Sequence, residues 1–199
     1  MTGAPVSASC GLAQATSFSP MSSPAFFFDR DGVVNVSPGA GYVLSWEAFH
    51  FSEGIIEALA RLKAAGFKLI VVTSQQGVGK GLMTQATLDD IHARMQAALA
   101  PHGAQFDAIY ACTCLSSDPD CTCRKPSPEM IEQAAAAHDL DLSRSWLIGD
   151  HDRDIQMAVN AGVPRTIRVL GEKEATVAAL HTLQSVSELP ALLERVLPA

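Results

Sequence analysis

Apolar positions along this chain recur in two alternating ways. Short, mostly apolar and β-rich runs fall at 25–28, 67–72, 108–111, 145–148 and 166–169. Between them lie stretches in which apolar residues return every three or four positions, at 53–65, 84–100, 128–138 and 152–161. The first kind predicts buried strands and the second amphipathic helices. Gly66 and Gly162 stand where the first and last helices should stop, and Thr84 where the second should be capped. Strands alternating with helices predict an α/β fold, a doubly wound parallel sheet with helices on both faces. Such sheets bind ligands beyond the carboxyl ends of their strands, so the residues that follow each run carry the functional information.

Two segments break the alternation. Residues 35–51, with Pro38, Gly39, Gly41, Tyr42 and Trp46, form a long loop after the first strand, and residues 112–126 form another. Neither is long enough for a separate cap domain, so an open site is expected, suited to a substrate that brings its own bulk. Residues 1–24 are rich in Ser, Ala, Pro and Gly and carry no charged side chain; they are read as a disordered tail before one domain at 25–199.

With 199 residues, of which 48% are hydrophobic and 18% charged, the chain has material for one ordinary core. A net charge of −7 with no run of Lys or Arg argues against a nucleic-acid surface, so an anionic ligand needs a local basic site. No apolar run approaches the length of a membrane span, and polar residues interrupt any secretory core in the tail. A cytoplasmic protein with no nucleic-acid or membrane partner is expected, and it is taken to be a monomer.

The strand ends hold the chemistry. Phe26-Phe27-Phe28 runs into Asp29-Arg30-Asp31-Gly32, and carboxylates two residues apart on extended chain emerge on the same side. The same residues also suit a plain turn. The second strand releases Thr73-Ser74-Gln75-Gln76-Gly77, a hydroxyl and a Gly-bearing loop that can donate to a phosphate or simply turn. Arg124-Lys125-Pro126 precedes a helix, where amides favour anions; a solvated basic pair is the other reading. The fourth strand ends in Gly149-Asp150-His151-Asp152-Arg153-Asp154. Asp150 is placed to join Asp29 and Asp31 in an oxygen-ligand set suited to Mg²⁺. Asp154 can orient a lysine or a metal-bound water, and Asp152 can cap a helix.

Four of five cysteines form two pairs, Cys112/Cys114 and Cys121/Cys123, with six residues between the pairs. In a cytoplasmic chain this spacing points to a tetrahedral Zn²⁺ site, a zinc loop at 112–123; free thiols or disulfides formed on oxidation are the alternatives. Its last ligand precedes Arg124 and Lys125, so a structural Zn²⁺ would aim both cations.

In combination and order these segments resemble the haloacid dehalogenase-like (HAD) hydrolase superfamily over residues 26–169. The resemblance implies a Rossmann-like core, Mg²⁺ dependence and an aspartyl-phosphate intermediate. It assigns Asp29 as nucleophile, Asp31 as proton donor and acceptor, Thr73 and Lys125 as holders of the transferring phosphoryl group, and Asp150 as completing the Mg²⁺ site. The cysteine loop followed by Cys123-Arg124-Lys125-Pro126, with Gly41-Tyr42-Val43 and Gly79-Lys80-Gly81, is similar to the heptose bisphosphate and histidinol-phosphate phosphatases. That likeness gives Arg124 to a remote phosphate and implies a small phosphorylated substrate, with a sugar bisphosphate the first reading and histidinol phosphate, for which Glu47 could meet the amine, the second. Substrate contacts are expected from Tyr42, Ser74, Gln75 and Gln76 as well. Cys114 stands where those families usually have His, Ser74 where the heptose enzymes usually have Asn, and Glu129 where Gly is usual. A silent zinc-stabilised phosphate-binding module is the reading from another class.

Overall fold

The structure, a computed structural model, describes residues 22–171 and 174–197. Residues 1–21 of the expected tail lie outside the described residues. Ser22–Pro24 already belong to the domain: Ser23 forms a parallel bridge with Leu140, its N–H donating to the Asp139 carbonyl at 3.1 Å.

Six parallel strands form one sheet. They are β1 (Ala25–Phe28), β2 (Lys68–Ser74), β3 (Ala108–Cys112), β4 (Trp146–Gly149), β5 (Arg165–Val169) and β6 (His181–Leu183), in the spatial order β3-β2-β1-β4-β5-β6. The helices between them are α1 (Ile55–Ala64), α2 (Gln76–Gly79), α3 (Gln85–Leu99), α4 (Glu129–His138), α5 (Asp152–Asn160) and α6 (Leu189–Val196). Because successive strand residues point to opposite faces, each strand feeds two cores. Phe26, Phe28, Leu69, Val71 and Ile148 pack with α1, α3 and α6, whereas Phe27, Ile70, Val72 and Leu147 pack with α4 and α5. Burial on both faces explains why β1 and the Leu69–Val72 stretch of β2 read as unbroken apolar runs rather than alternating ones. Thr84 caps α3 as expected, its side chain accepting the Thr87 N–H at 3.1 Å.

The structure departs from the expected elements in three places. Strand β2 runs two residues past Val72, because Thr73 and Ser74 pair with Ala111 and Cys112 of β3. The Gly-bearing loop after it begins with the short helix α2. Strand β6 and helix α6 had no counterpart in the pattern. Three residues of β6 are too few to show a period, and Pro190 masks α6 although proline fits a first helical turn. Among the described residues no helix is long and apolar enough to cross a membrane.

β1 is central, and its neighbours are in register with it: Phe28 lies level with Val71 of β2 and Ile148 of β4. The next residues on these three strands are Asp29, Val72-Thr73 and Gly149-Asp150. One end of the sheet therefore gathers the first carboxylate, the hydroxyl and the last carboxylate.

Candidate active site

A cleft of about 290 Å³ opens over the end of β1, and Asp29, Asp31, Thr73, Ser74 and Asp150 line its floor. Tyr42, Gln76, Arg124, His151 and Arg153 line its sides. Asp29 is nearly buried, with its N–H fixed to the Ile148 carbonyl at 3.0 Å.

Lys125 crosses under this floor. Its ammonium donates to Asp29 Oδ1 at 2.7 Å and to Asp154 Oδ1 at 2.6 Å, with all three side chains buried. The other oxygen of Asp154 accepts the His151 N–H at 2.9 Å, which ties the start of α5 to the lysine. Asp154 thus orients a lysine, one of the two roles read from its position. Burial works against the Lys125 charge, but Asp154 and Asp29 outweigh it and hold the ammonium above its ordinary range. Burial also works against ionised Asp154, and Lys125 more than compensates, so that carboxyl lies low. For Asp29 burial wins: against the pull of Lys125, and helped by repulsion from Asp154 and Asp150, it raises the carboxyl to about 7.

Of three buried carboxylates, Asp29, Asp150 and Asp154, the buried Lys125 ammonium pairs with Asp29 and Asp154, and Asp150 has no lysine or arginine partner among the described residues. That deficit of positive charge suits a hard cation held by oxygen ligands. Gly32 brings the floor together: its φ is +92°, and a methyl group there would overlap the Asp150 carboxylate. Asp150 Oδ1 in turn lies 2.7 Å from His151 Nδ1.

Asp31 is anchored by two side chains. Its carboxylate takes Arg30 Nη2 at 2.9 and 3.1 Å on its two oxygens, and Gln75 Nε2 donates to Oδ2 at 3.0 Å. The chain turns at Arg30, whose carbonyl accepts the N–H groups of Val33, Val34 and Asn35, and both carboxylates line the same cleft. Asp29, Asp31 and Asp150 share the cleft lining, while the groups of three or more ligand atoms lying mutually within 4.8 Å among the described residues are the four cysteines and Asp150-His151-Asp154.

Gln75 also differs from its expected role. It is 2% exposed, and its amide donates to Thr73 Oγ1 at 2.9 Å as well as to Asp31, so it braces the floor rather than facing a substrate. Arg30 is fully buried, and its Nη1 lies 3.3 Å from His92 Nε2. Burial and the Arg30 charge lower the His92 imidazole to about 4. Neither side chain carries a local sequence signal for the site, Arg30 standing between two Asp residues and His92 within a helical stretch. Asp152 is not a cap either: it accepts from Thr176 and from buried Arg168, whose Nη1 is 2.8 Å away.

The four cysteines converge. Their S···S distances are 3.6 Å for Cys112–Cys121, 3.9 Å for Cys114–Cys123 and 3.8 Å for Cys121–Cys123. A tetrahedron of thiolates about 2.3 Å from a zinc ion has edges of about 3.8 Å, so the donor set fits that ion. Burial, before any other influence, keeps the Cys112 thiol well above its usual range, so a cation would have to displace the proton. The loop leans on α2: a methyl group on Gly79 would overlap the Thr113 carbonyl, and Gln76 Nε2 donates to Ser116 Oγ at 3.0 Å. Arg124 leaves the loop at Cys123, with one contact at 3.4 Å to the Cys114 carbonyl. Helix α4 starts only at Glu129, so neither Arg124 nor Lys125 sits on its first turn. On the other side Lys80 Nζ donates to the Tyr42 hydroxyl at 2.9 Å and lies over its ring.

Comparison with known proteins gives this geometry relatives. The HAD-hydrolase-like family matches residues 122–189. The D-glycero-beta-D-manno-heptose-1,7-bisphosphate 7-phosphatase of Yersinia pestis is 36% identical over 177 residues, covering 84% of this chain and 93% of that protein. The enzyme of the same name from Escherichia coli K12 is 36% identical over 182 residues, covering 86% and 94%. Among solved structures, the D,D-heptose 1,7-bisphosphate phosphatase of B. bronchiseptica, complexed with magnesium and phosphate, superimposes with a TM-score of 0.75 at 32% identity, covering 86% of this chain and 98% of that one. A shared parallel sheet, a carboxylate floor and identity sustained across most of both chains place this protein in the HAD-like hydrolases, in the family of the heptose bisphosphate phosphatases.

Proposed function

We propose that this chain is a Mg²⁺-dependent phosphatase that removes the 7-phosphate of D-glycero-β-D-manno-heptose 1,7-bisphosphate, the substrate its relatives are named for. The observation that carries this reading is the buried Asp29–Lys125–Asp154 chain at the end of β1, joined by Asp150 and flanked by Arg124.

Asp29 attacks the phosphorus, and the ester P–O bond breaks as the Asp29–phosphorus bond forms. Asp31 gives a proton to the departing alcohol oxygen. It then takes one from the water that cleaves the aspartyl phosphate, releasing inorganic phosphate and restoring Asp29. Arg30 and Gln75 fix its carboxylate between these two tasks. Thr73 and Lys125 hold the phosphoryl oxygens, and Lys125 also offsets the Asp29 charge. Asp29, Asp31 and Asp150 would hold Mg²⁺, which when bound offsets the charge of two anions that must meet.

Cys112, Cys114, Cys121 and Cys123 hold a structural Zn²⁺ in this reading, and the loop they close presents Arg124 to the phosphate that is not transferred. Binding energy from that remote group serves to position the reacting one. Tyr42, Ser74 and Gln76 complete the sugar side of the cleft. Replacing Arg124 by alanine should lower kcat/KM for the bisphosphate by about 10- to 100-fold, the range expected for a charge-assisted bidentate contact. The same variant should change hydrolysis of an aryl phosphate less than about threefold. Equal losses on the two substrates would remove Arg124 from remote-phosphate recognition.

A further inference from the structure

Among the described residues, Arg124 and Arg153 are the arginine and lysine side chains that line the cleft, and neither forms an ion pair. The other cations near the floor are committed. Arg30 is paired with Asp31, Lys125 with Asp29 and Asp154, and Arg168 with Asp152. Asp29, Asp31 and Asp150 line the same cleft. A bisphosphate adds roughly −1.5 to −2 charges per phosphate, so one uncommitted arginine is a poor match for a doubly anionic ligand.

We propose that Arg153 is a second specificity-determining residue, whose guanidinium holds the non-reacting phosphate of the substrate together with Arg124. This inference rests on the phosphatase reading above and adds a residue to it. The two arginines reach the cleft from different sides of β1. Arg124 comes from the segment after β3, which lies two strands away on one flank, and Arg153 from the first turn of α5, directly after β4 on the other. Arg153 is exposed, whereas Thr73 and Lys125 are buried at the floor. Its exposure therefore matches a group held away from Asp29 rather than the phosphoryl group being transferred. The planar fork of an arginine suits a phosphate bidentately, and two forks from opposite flanks fix that phosphate in place.

Arg153 also lies close enough to Asp154 to help keep that carboxyl ionised. A role confined to Asp154 and Lys125 would act on the chemical step with every substrate. The test is steady-state kinetics of Arg153→Gln and Arg153→Lys on the heptose bisphosphate and on p-nitrophenyl phosphate, with inhibition by the heptose 1-phosphate product alongside. Arg153→Gln is expected to raise KM for the bisphosphate at least about 10-fold with kcat within about threefold, and to weaken product inhibition by the same factor. Activity on p-nitrophenyl phosphate should stay within about threefold, and Arg153→Lys should recover part of the loss. Equal losses on both substrates, or an unchanged bisphosphate KM, would overturn the inference while leaving the phosphatase reading intact. A wild-type enzyme with no preference for the bisphosphate over the aryl ester would overturn both.

Discussion

Replacing Asp29 by asparagine is expected to lower kcat by about 10⁴-fold or more, because the amide is no nucleophile toward phosphorus and no other carboxylate touches Lys125 from the β1 side. The fold should survive, since Lys125 keeps its 2.6 Å bond to Asp154. A second expected result separates Asp29 from a merely structural carboxylate. Burial raises its pKa from 3.8 to about 7, so the native state binds this proton more tightly than the unfolded chain does. Stability from the protonated group is complete below about pH 4 and is lost as pH rises through 7. Relative to wild type, Asp29→Asn should therefore gain stability between pH 4 and 7, by an amount on the order of 3 kcal/mol, and hold that gain at pH 8. Urea denaturation of both proteins in Mg²⁺-free buffer, with zinc left in place, reads the difference. Added Mg²⁺ should erase it in part, by stabilising the ionised wild-type carboxylate. A pH-independent difference would mean that Asp29 is ionised throughout without a cation.

The second large effect is expected at the cysteine loop. Cys121→Ser should reduce bound zinc from about one per chain to near zero, and destabilise the protein by several kcal/mol, because the loop has little apolar surface to hold it in place. The functional consequence should be selective. Lys125 is anchored by two buried carboxylates and stays, whereas Arg124 has one 3.4 Å contact, to a carbonyl of the loop itself. Loss of zinc should therefore resemble Arg124→Ala, with bisphosphate KM rising at least about 10-fold and aryl phosphate hydrolysis suffering less. Chelation of zinc from the wild type, reversed by adding zinc back, gives the same test without a substitution. A zinc-free protein with unchanged bisphosphate kinetics would break the link between the loop and Arg124.

How far the chain could be read depended on whether a residue's position is set by its neighbours in sequence or by distant packing. Strands β1 to β5 and helices α1, α3, α4 and α5 were legible because each buries a periodic face. The floor residues Asp29, Thr73 and Asp150 were legible because parallel strands in register bring their carboxyl ends together. The cysteine cluster was legible from spacing alone, and its sulfurs converge to within 3.6–3.9 Å. Gln75 was not. Nothing local distinguishes its inward turn from the cleft-facing Gln76 beside it; the difference arises because Gln75 N–H is tied to the Cys112 carbonyl at 2.7 Å, at the end of β3. Arg30 was hidden for a related reason. Its burial follows from a tight turn that wraps three N–H groups around its own carbonyl, and from His92 meeting it out of α3. Arg153 carries no local signal beyond its charge, and only the placement of α5 brings it to the cleft.

The measurement that bears most directly on the whole account is a substrate panel with the wild-type enzyme. It compares D-glycero-β-D-manno-heptose 1,7-bisphosphate, the corresponding 7-monophosphate, histidinol phosphate and an aryl phosphate by kcat/KM, each with and without Mg²⁺. The bisphosphate is expected to lead by at least about 10-fold over each monoester, with release of the 7-phosphate and no turnover without Mg²⁺. Histidinol phosphate in the lead, or equal rates on one and two phosphates, would contradict the assignment of the arginine-flanked cleft to a bisphosphate.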